Sequence, residues 1–182
     1  IGVQGSRSLT LSISNLANLS APYRIRELFR SLAMLDAILE PRISKRSFFF
    51  LDSWTISDSI GTIRIGEDHL FAAFGESGAF IKGYVKRCQM GIDGVNWPGI
   101  DAGLPREFME WRINPYFEFE RTTFCLWRLA DQSAWQTSSV ELPLGDDPDG
   151  SAVMLPYLDG TTETYAKFAS KRRGETIDVD AV

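Results

Sequence analysis

Apolar residues at positions 25, 28, 29, 32, 35 and 39 recur at three- and four-residue steps through SAPYRIRELFRSLAMLDAILEP, the single stripe of an amphipathic helix. Ser20 suits the N-cap, and Pro22 suits the first turn, where a missing N–H costs nothing. Pro41 ends the helix, because the residue before a proline avoids the α region. Arg24, Arg26, Arg30 and Asp36 fall mostly off the stripe. From there to residue 90 the period drops to two. SFFFLDSW is rich in aromatic residues, GTIRIG alternates, and HLFAAFG and GAFIKGYV flank the turn signal Gly75-Glu76-Ser77-Gly78. Three or four antiparallel strands in a meander are expected. The alternation sets Arg64 and Lys82 on the face opposite their apolar neighbours. One face should pack on helix 21–40, leaving the other partly wet or covered by later residues.

Residues 93–111, DGVNWPGIDAGLPREFMEW, read as an extended connector. Pro98 keeps Trp97 extended, the glycines permit turns, and Pro105 opens a short helix, REFMEW. FEFERTTFCLWRLA supplies one or two more strands and AWQTSSVEL another. After Pro143 a short helix is expected with Asp147 as its cap and Pro148 in its first turn, limited by Pro156. A last helix, TTETYAKFASKRR, is capped by Thr161 or Asp159 and carries basic residues where they favour the helix dipole. Helix, meander, strands, then helices is an α+β order: an antiparallel sheet with an N-terminal helix and C-terminal helices packed on it. Residues 1–19 form an N-terminal arm, loosely ordered or a short strand, and residues 20–182 a single domain.

Composition narrows the function classes. A hydrophobic share of 44% supports a real core, and a charged share of 24% argues against wholesale disorder. Nineteen basic against 24 acidic side chains leave −5, with the densest basic cluster at Lys171-Arg172-Arg173. A nucleic-acid binder needs a concentrated basic face, so nucleic acid is not expected as a partner. No apolar run reaches 18 residues, so no spanning helix is expected. Cys88 and Cys125 lack CxxC spacing; Cys125, inside TTFCLWRL, reads as a buried inert thiol, and the setting as cytoplasmic.

Reactive groups are scarce. The one histidine, His69, falls at a strand start in GEDHLF and reads as an exposed, turn-adjacent imidazole. One His and two distant Cys cannot make a zinc site. Asp147-x-Asp149-Gly150 matches the middle of an EF-hand loop. In that register position 1 is Gly145 and position 12 is Pro156, so both end carboxylates are missing and helix capping explains the acids. GESGAF joins strand to strand and is no phosphate loop. No cofactor and no metal are expected. Six acids at element ends (Asp52, Asp58, Glu76, Asp93, Asp101 and Glu110) could form a hydrolytic carboxylate pair. Of five tryptophans, Trp127 reads as core. Trp54, Trp97 and Trp111 sit where rings can rim a binding surface, with Asp101 between the last two.

GAFIKGYV, DGVNWPG, LPREF, TTFCLWR, AWQ and DPDGSA, in that order, resemble a group of uncharacterised bacterial proteins over about residues 30 to 170. The resemblance implies a compact bacterial α+β domain and brings no activity. LPREF, Leu104 to Phe108, also resembles the Leu-Pro-x-x-[Tyr/Phe] helix start of the SUKH superfamily, which includes immunity proteins that neutralise toxins. Here that element lies past the middle of the domain and not near its start. The expected function is therefore a non-catalytic protein-binding module of immunity or adaptor type. Its acidic balance would meet a basic partner surface, with Trp54, Trp97, Asp101 and Trp111 as binding residues. The alternatives are a carboxylate-pair hydrolase in an aromatic-rimmed groove and a small-ligand sensor with an apolar pocket between helix 21–40 and the sheet.

Overall fold

A computed structural model describes residues 10–55, 57–94 and 96–177. The first helix, α1 (Pro22–Leu39), is one residue shorter at each end than the 21–40 span read from the sequence. Ala21, not Ser20, holds the N-cap position; the Ser20 carbonyl instead accepts the Trp135 indole N–H at 2.8 Å. Six strands follow: β1 (Phe48–Leu51), β2 (Ser59–Ile65), β3 (Asp68–Gly75), β4 (Gly78–Tyr84), β5 (Phe124–Leu129) and β6 (Gln136–Thr137). They form one open antiparallel sheet in chain order, each strand beside its predecessor. α2 (Met109–Ile113) lies in the β4–β5 connector, and α3 (Ser151–Met154) and α4 (Thr162–Arg173) close the chain. The architecture is α+β, with an N-terminal helix and C-terminal helices on the sheet.

Strand register sorts the two faces. Gly61, Ile63, Leu70, Ala72, Phe74 and Ile81 share one face; Thr62, Arg64, His69, Phe71, Phe80 and Lys82 share the other. α1 packs on the first face, its Phe29 ring meeting Phe74 edge to face. It lies so close over β2 that a β-carbon at Gly61 would collide with that ring. Side chains fill the space between the middle of α1 and β2, while an open cavity of about 380 Å³ remains where the start of α1 (Pro22, Tyr23, Arg26) meets β3 and β5 (Phe74, Arg128). Ile25, Phe29, Leu32 and Asp36 form the buried stripe. Asp36, expected off it, lies seven residues from Phe29, two helical turns along the same face. Its carboxylate accepts the backbone N–H groups of Ser47 (2.6 Å) and Phe48 (3.0 Å) and pairs with Arg172 of α4. One buried acid thereby ties α1, the start of β1 and α4 together.

The second face is covered by the connector. Phe108, Phe117 and Phe119 stack around Phe80, and Tyr116 and Phe117 close on Phe71. FEF, expected to begin a strand, is instead the end of a 3-10 turn (Pro115–Phe117) running into Glu118. Residue 118 takes a left-handed conformation (φ 47°), unusual for a side chain with a Cβ. Of the expected arm, residues 10–19 are packed: Leu11 and Leu19 are buried and the Ile13 N–H donates to the Ser151 hydroxyl. Residues 13–18 are a 3-10 helix and not a strand, and residues 1–9 lie outside the described residues.

Candidate functional site

An open groove of about 690 Å³ runs between the β2–β3 turn, α3 and α4. Local sequence builds each wall. Gly66, with φ 64°, makes the tight turn after Ile65. Gly150 sits left-handed ahead of α3, the Asp147 carboxylate accepts the Ala152 N–H at 3.1 Å, and Pro156 follows in a 3-10 turn. Asp147 thus binds an α3 amide from a distance, while the residue directly preceding α3 is Gly150; the expected start at Asp147-Pro148 is three residues early. Tyr157 and Phe168 pack edge to face on Phe48, with centroids 5.7 and 5.2 Å away.

The lining is mainly apolar: Ile65, Val153, Pro156, Tyr157 and Phe168. Lys167 and Lys171 supply positive charge along the α4 side, where Arg172, paired with Asp36, also lines the groove. Lys167 and Lys171 are exposed and one helical turn apart. Arg172 turns inward to Asp36, its guanidinium 5.1 Å from the Phe168 ring centroid, and its Nη1 is buried without a hydrogen-bond partner. Arg172 also lines an adjoining polar cavity of about 630 Å³ with the ion pairs Arg42–Glu40 and Arg173–Glu175. Such a surface can take an apolar group next to a negative charge.

The most perturbed titratable pair lies elsewhere, inside the second face. Lys82, fully buried, reaches His69 Nε2 at 2.9 Å, the Glu118 carbonyl at 3.0 Å and the Arg121 carbonyl at 2.6 Å. Three acceptors match the three N–H groups of an ammonium, so Lys82 fastens the 118–121 turn to the sheet. His69 is stacked on Tyr84 and 2% exposed, not the exposed imidazole expected. Burial lowers its pKa to about 3, helped by the charge of Lys82, and burial brings Lys82 down to about 7. His69 is therefore neutral at neutral pH, and its Nε2 accepts from the ammonium. Both folded values lie below the ordinary 6.5 and 10.5. The His69 contribution to stability is complete above 6.5 and fades as pH falls towards 3; that of Lys82 is complete above 10.5 and fades towards 7. Both cysteines are free and buried, and burial raises both thiols, Cys125 to about 12.

The sequence-derived site residues are placed apart from the groove. Trp111 is buried and stacked on Phe108 (5.5 Å, 13°), Trp54 is half-buried against Tyr116, and Trp97 packs partly buried on the core. Asp101 forms an ion pair with Arg112, the neighbour of Trp111. Trp111 and Asp58 both crowd Gly75, which brings Trp111 near the loop that carries Trp54. Of the six acids, Asp52 is bound by Arg26 and Arg30, Glu76, Asp93 and Glu110 are exposed, and Asp58 is half-buried. None of these six acids or three tryptophans lines the groove, the cavity beside Arg42 and Arg173, or the cavities at Pro22–Phe74, Asp147–Asp149 and Asp68–Lys86. Lys167, Lys171, Tyr157 and Phe168 were legible only as helix composition; their signal is Lys167 and Lys171 spaced i, i+4 on a helix whose inner side carries Tyr165 and Ala169.

Among the described residues, no helix is long and apolar enough to cross a membrane. The fold defines an α+β protein with an open six-stranded sheet covered on both faces. Comparison with protein-family models, with curated proteins and with solved structures finds no match.

Proposed function

We propose that the chain is a non-catalytic, protein-binding module of immunity or adaptor type, acting in a bacterial cytoplasm, and that it engages its partner through the α3–α4 groove. The observation that carries this reading is the groove itself, an apolar trough of about 690 Å³ flanked by the exposed Lys167 and Lys171 on a protein of net charge −5. The partner segment that fits is apolar with a flanking carboxylate. Local charge thus points to an acidic segment, whereas the overall balance alone points to a basic one. Val153, half exposed at the groove wall, offers an apolar contact of the kind that anchors interfaces.

Reversing two rim charges tests this. Lys167→Glu/Lys171→Glu changes only exposed positions, so the fold is retained. Co-purification from the native cells should recover a protein partner with the unaltered chain and lose it, by tenfold or more, with the double variant. Equal recovery by both forms contradicts the groove as the site. The volume also supports a second reading, a sensor of a small anionic apolar ligand, because sites for such ligands span about 300–1,000 Å³.

A further inference from the structure

The loop Gly145–Ser151 has chemistry that the groove does not use. Asp149 is 2% exposed, yet only one of its carboxylate oxygens is satisfied: Oδ1 accepts the Ser151 N–H and hydroxyl, while Oδ2 is buried with no donor among the described residues. Asp149 lines a cavity of about 130 Å³, together with Ser12, Ser14, Asp146 and Asp147, and among the described residues no Lys or Arg lines it. Burial pushes the Asp149 carboxyl up to about 6, and the Asp147 carboxylate, within hydrogen-bonding reach when one of the two is protonated, adds to that rise. Two carboxylates crowded together, one with a bare buried oxygen, call for a positive counterpart. Room for an ion and a few waters is present.

We propose that this cavity is a binding site for a hard divalent cation, Ca²⁺ in preference to Mg²⁺, held by Asp149 Oδ2 and the Asp147 carboxylate. Among the described residues no group of three or more His, Cys, Asp or Glu side chains is arranged to hold a metal ion. The acidic ligands therefore number two, and hydroxyl, carbonyl and water oxygens complete the shell. Such an irregular set of oxygens suits Ca²⁺, which accepts six to eight ligands in flexible geometry, better than Mg²⁺, which demands a near-ideal octahedron. The site is not an EF-hand, since positions 1 and 12 of that register, Gly145 and Pro156, carry no carboxylate; its ligands come from one short loop beside the N-terminal segment at Ser12 and Ser14. A bound ion would join that segment to the start of α3, where Ile13 already bonds Ser151.

Thermal unfolding of the full chain at neutral pH, in EDTA and then in CaCl₂ or MgCl₂, decides the matter. Saturating CaCl₂ should raise Tm by about 5 °C, and MgCl₂ by less. Asp149→Asn and Asp147→Asn keep the acceptors of Ser151 and Ala152, so both variants should fold and both should lose the Ca²⁺ response. An unchanged Tm in the unaltered chain, or the same rise in Asp149→Asn, overturns the proposal. So does a Tm that ignores Ca²⁺ but climbs on acidification in the unaltered chain alone, since a shared proton then neutralises the pair.

Discussion

Asp36→Ala should lose about 4 kcal/mol of folding stability, because breaking a buried ion pair leaves its partners uncompensated. The carboxylate accepts two backbone amides that start β1 and holds the Arg172 guanidinium of α4, with the Tyr165 hydroxyl at 3.4 Å. Removing it strands all of them in a buried place. Arg172 would be the worst affected, since its Nη1 already lacks a partner. Asp36→Asn keeps an acceptor for the amides and loses the charge, so it should cost about half as much. Urea unfolding at neutral pH measures both, with the slope unchanged if the compactness of the two states is preserved. A loss below about 1 kcal/mol in Asp36→Ala would show that α1 and α4 are held by apolar packing alone.

Lys82→Met should cost about 3 kcal/mol, since two carbonyls and His69 Nε2 then face no donor. The loss should fall on the 118–121 turn, visible as faster amide exchange there ahead of the rest of the sheet. The neighbouring imidazole gives a pH readout. With His69 held near 3 against 6.5 in the unfolded chain, its own contribution should fall by roughly 2 kcal/mol between pH 7 and 4.5. Asp149, raised to about 6, gives an opposite gain, so the His69 share is read as the difference from a variant without the imidazole. His69→Gln lacks the titrating group, and its stability should fall less over the same interval. Parallel pH profiles for the two proteins would mean that His69 titrates normally in the fold.

Local signals made much of this fold legible. Pro22 and Pro41 bracket α1, and alternation with Gly75-Glu76-Ser77-Gly78 gives β3, β4 and their register. The same alternation set Lys82 and Arg64 on the second face. Their fates diverge for a reason that strand periodicity does not contain. Arg64 lies in β2, next to edge strand β1, and stays exposed with Glu118, whereas Lys82 lies beneath the 118–121 turn. That cover arrives some forty residues later in the chain and depends on a left-handed Glu118, for which a glutamate gives no cue. Asp36 was hidden differently: a polar residue on an apolar stripe reads as a surface position until its distant partner Arg172 is in view. The groove was illegible for the same long-range reason. Ile65 and Gly66 come from a hairpin turn, and its other walls from helices nearly ninety residues further on. The tryptophans drew attention as large rings among glycines, yet Trp111 is a buried stacking partner and Trp54 leans on Tyr116.

Site-specific photo-crosslinking in the native cells tests the binding role most directly. A photoreactive residue replacing Val153, in the groove wall, is compared with one replacing Met109, exposed on the connector side. The account predicts a discrete protein adduct from position 153 and none from position 109. No adduct at 153, or equal adducts from both positions, would contradict it.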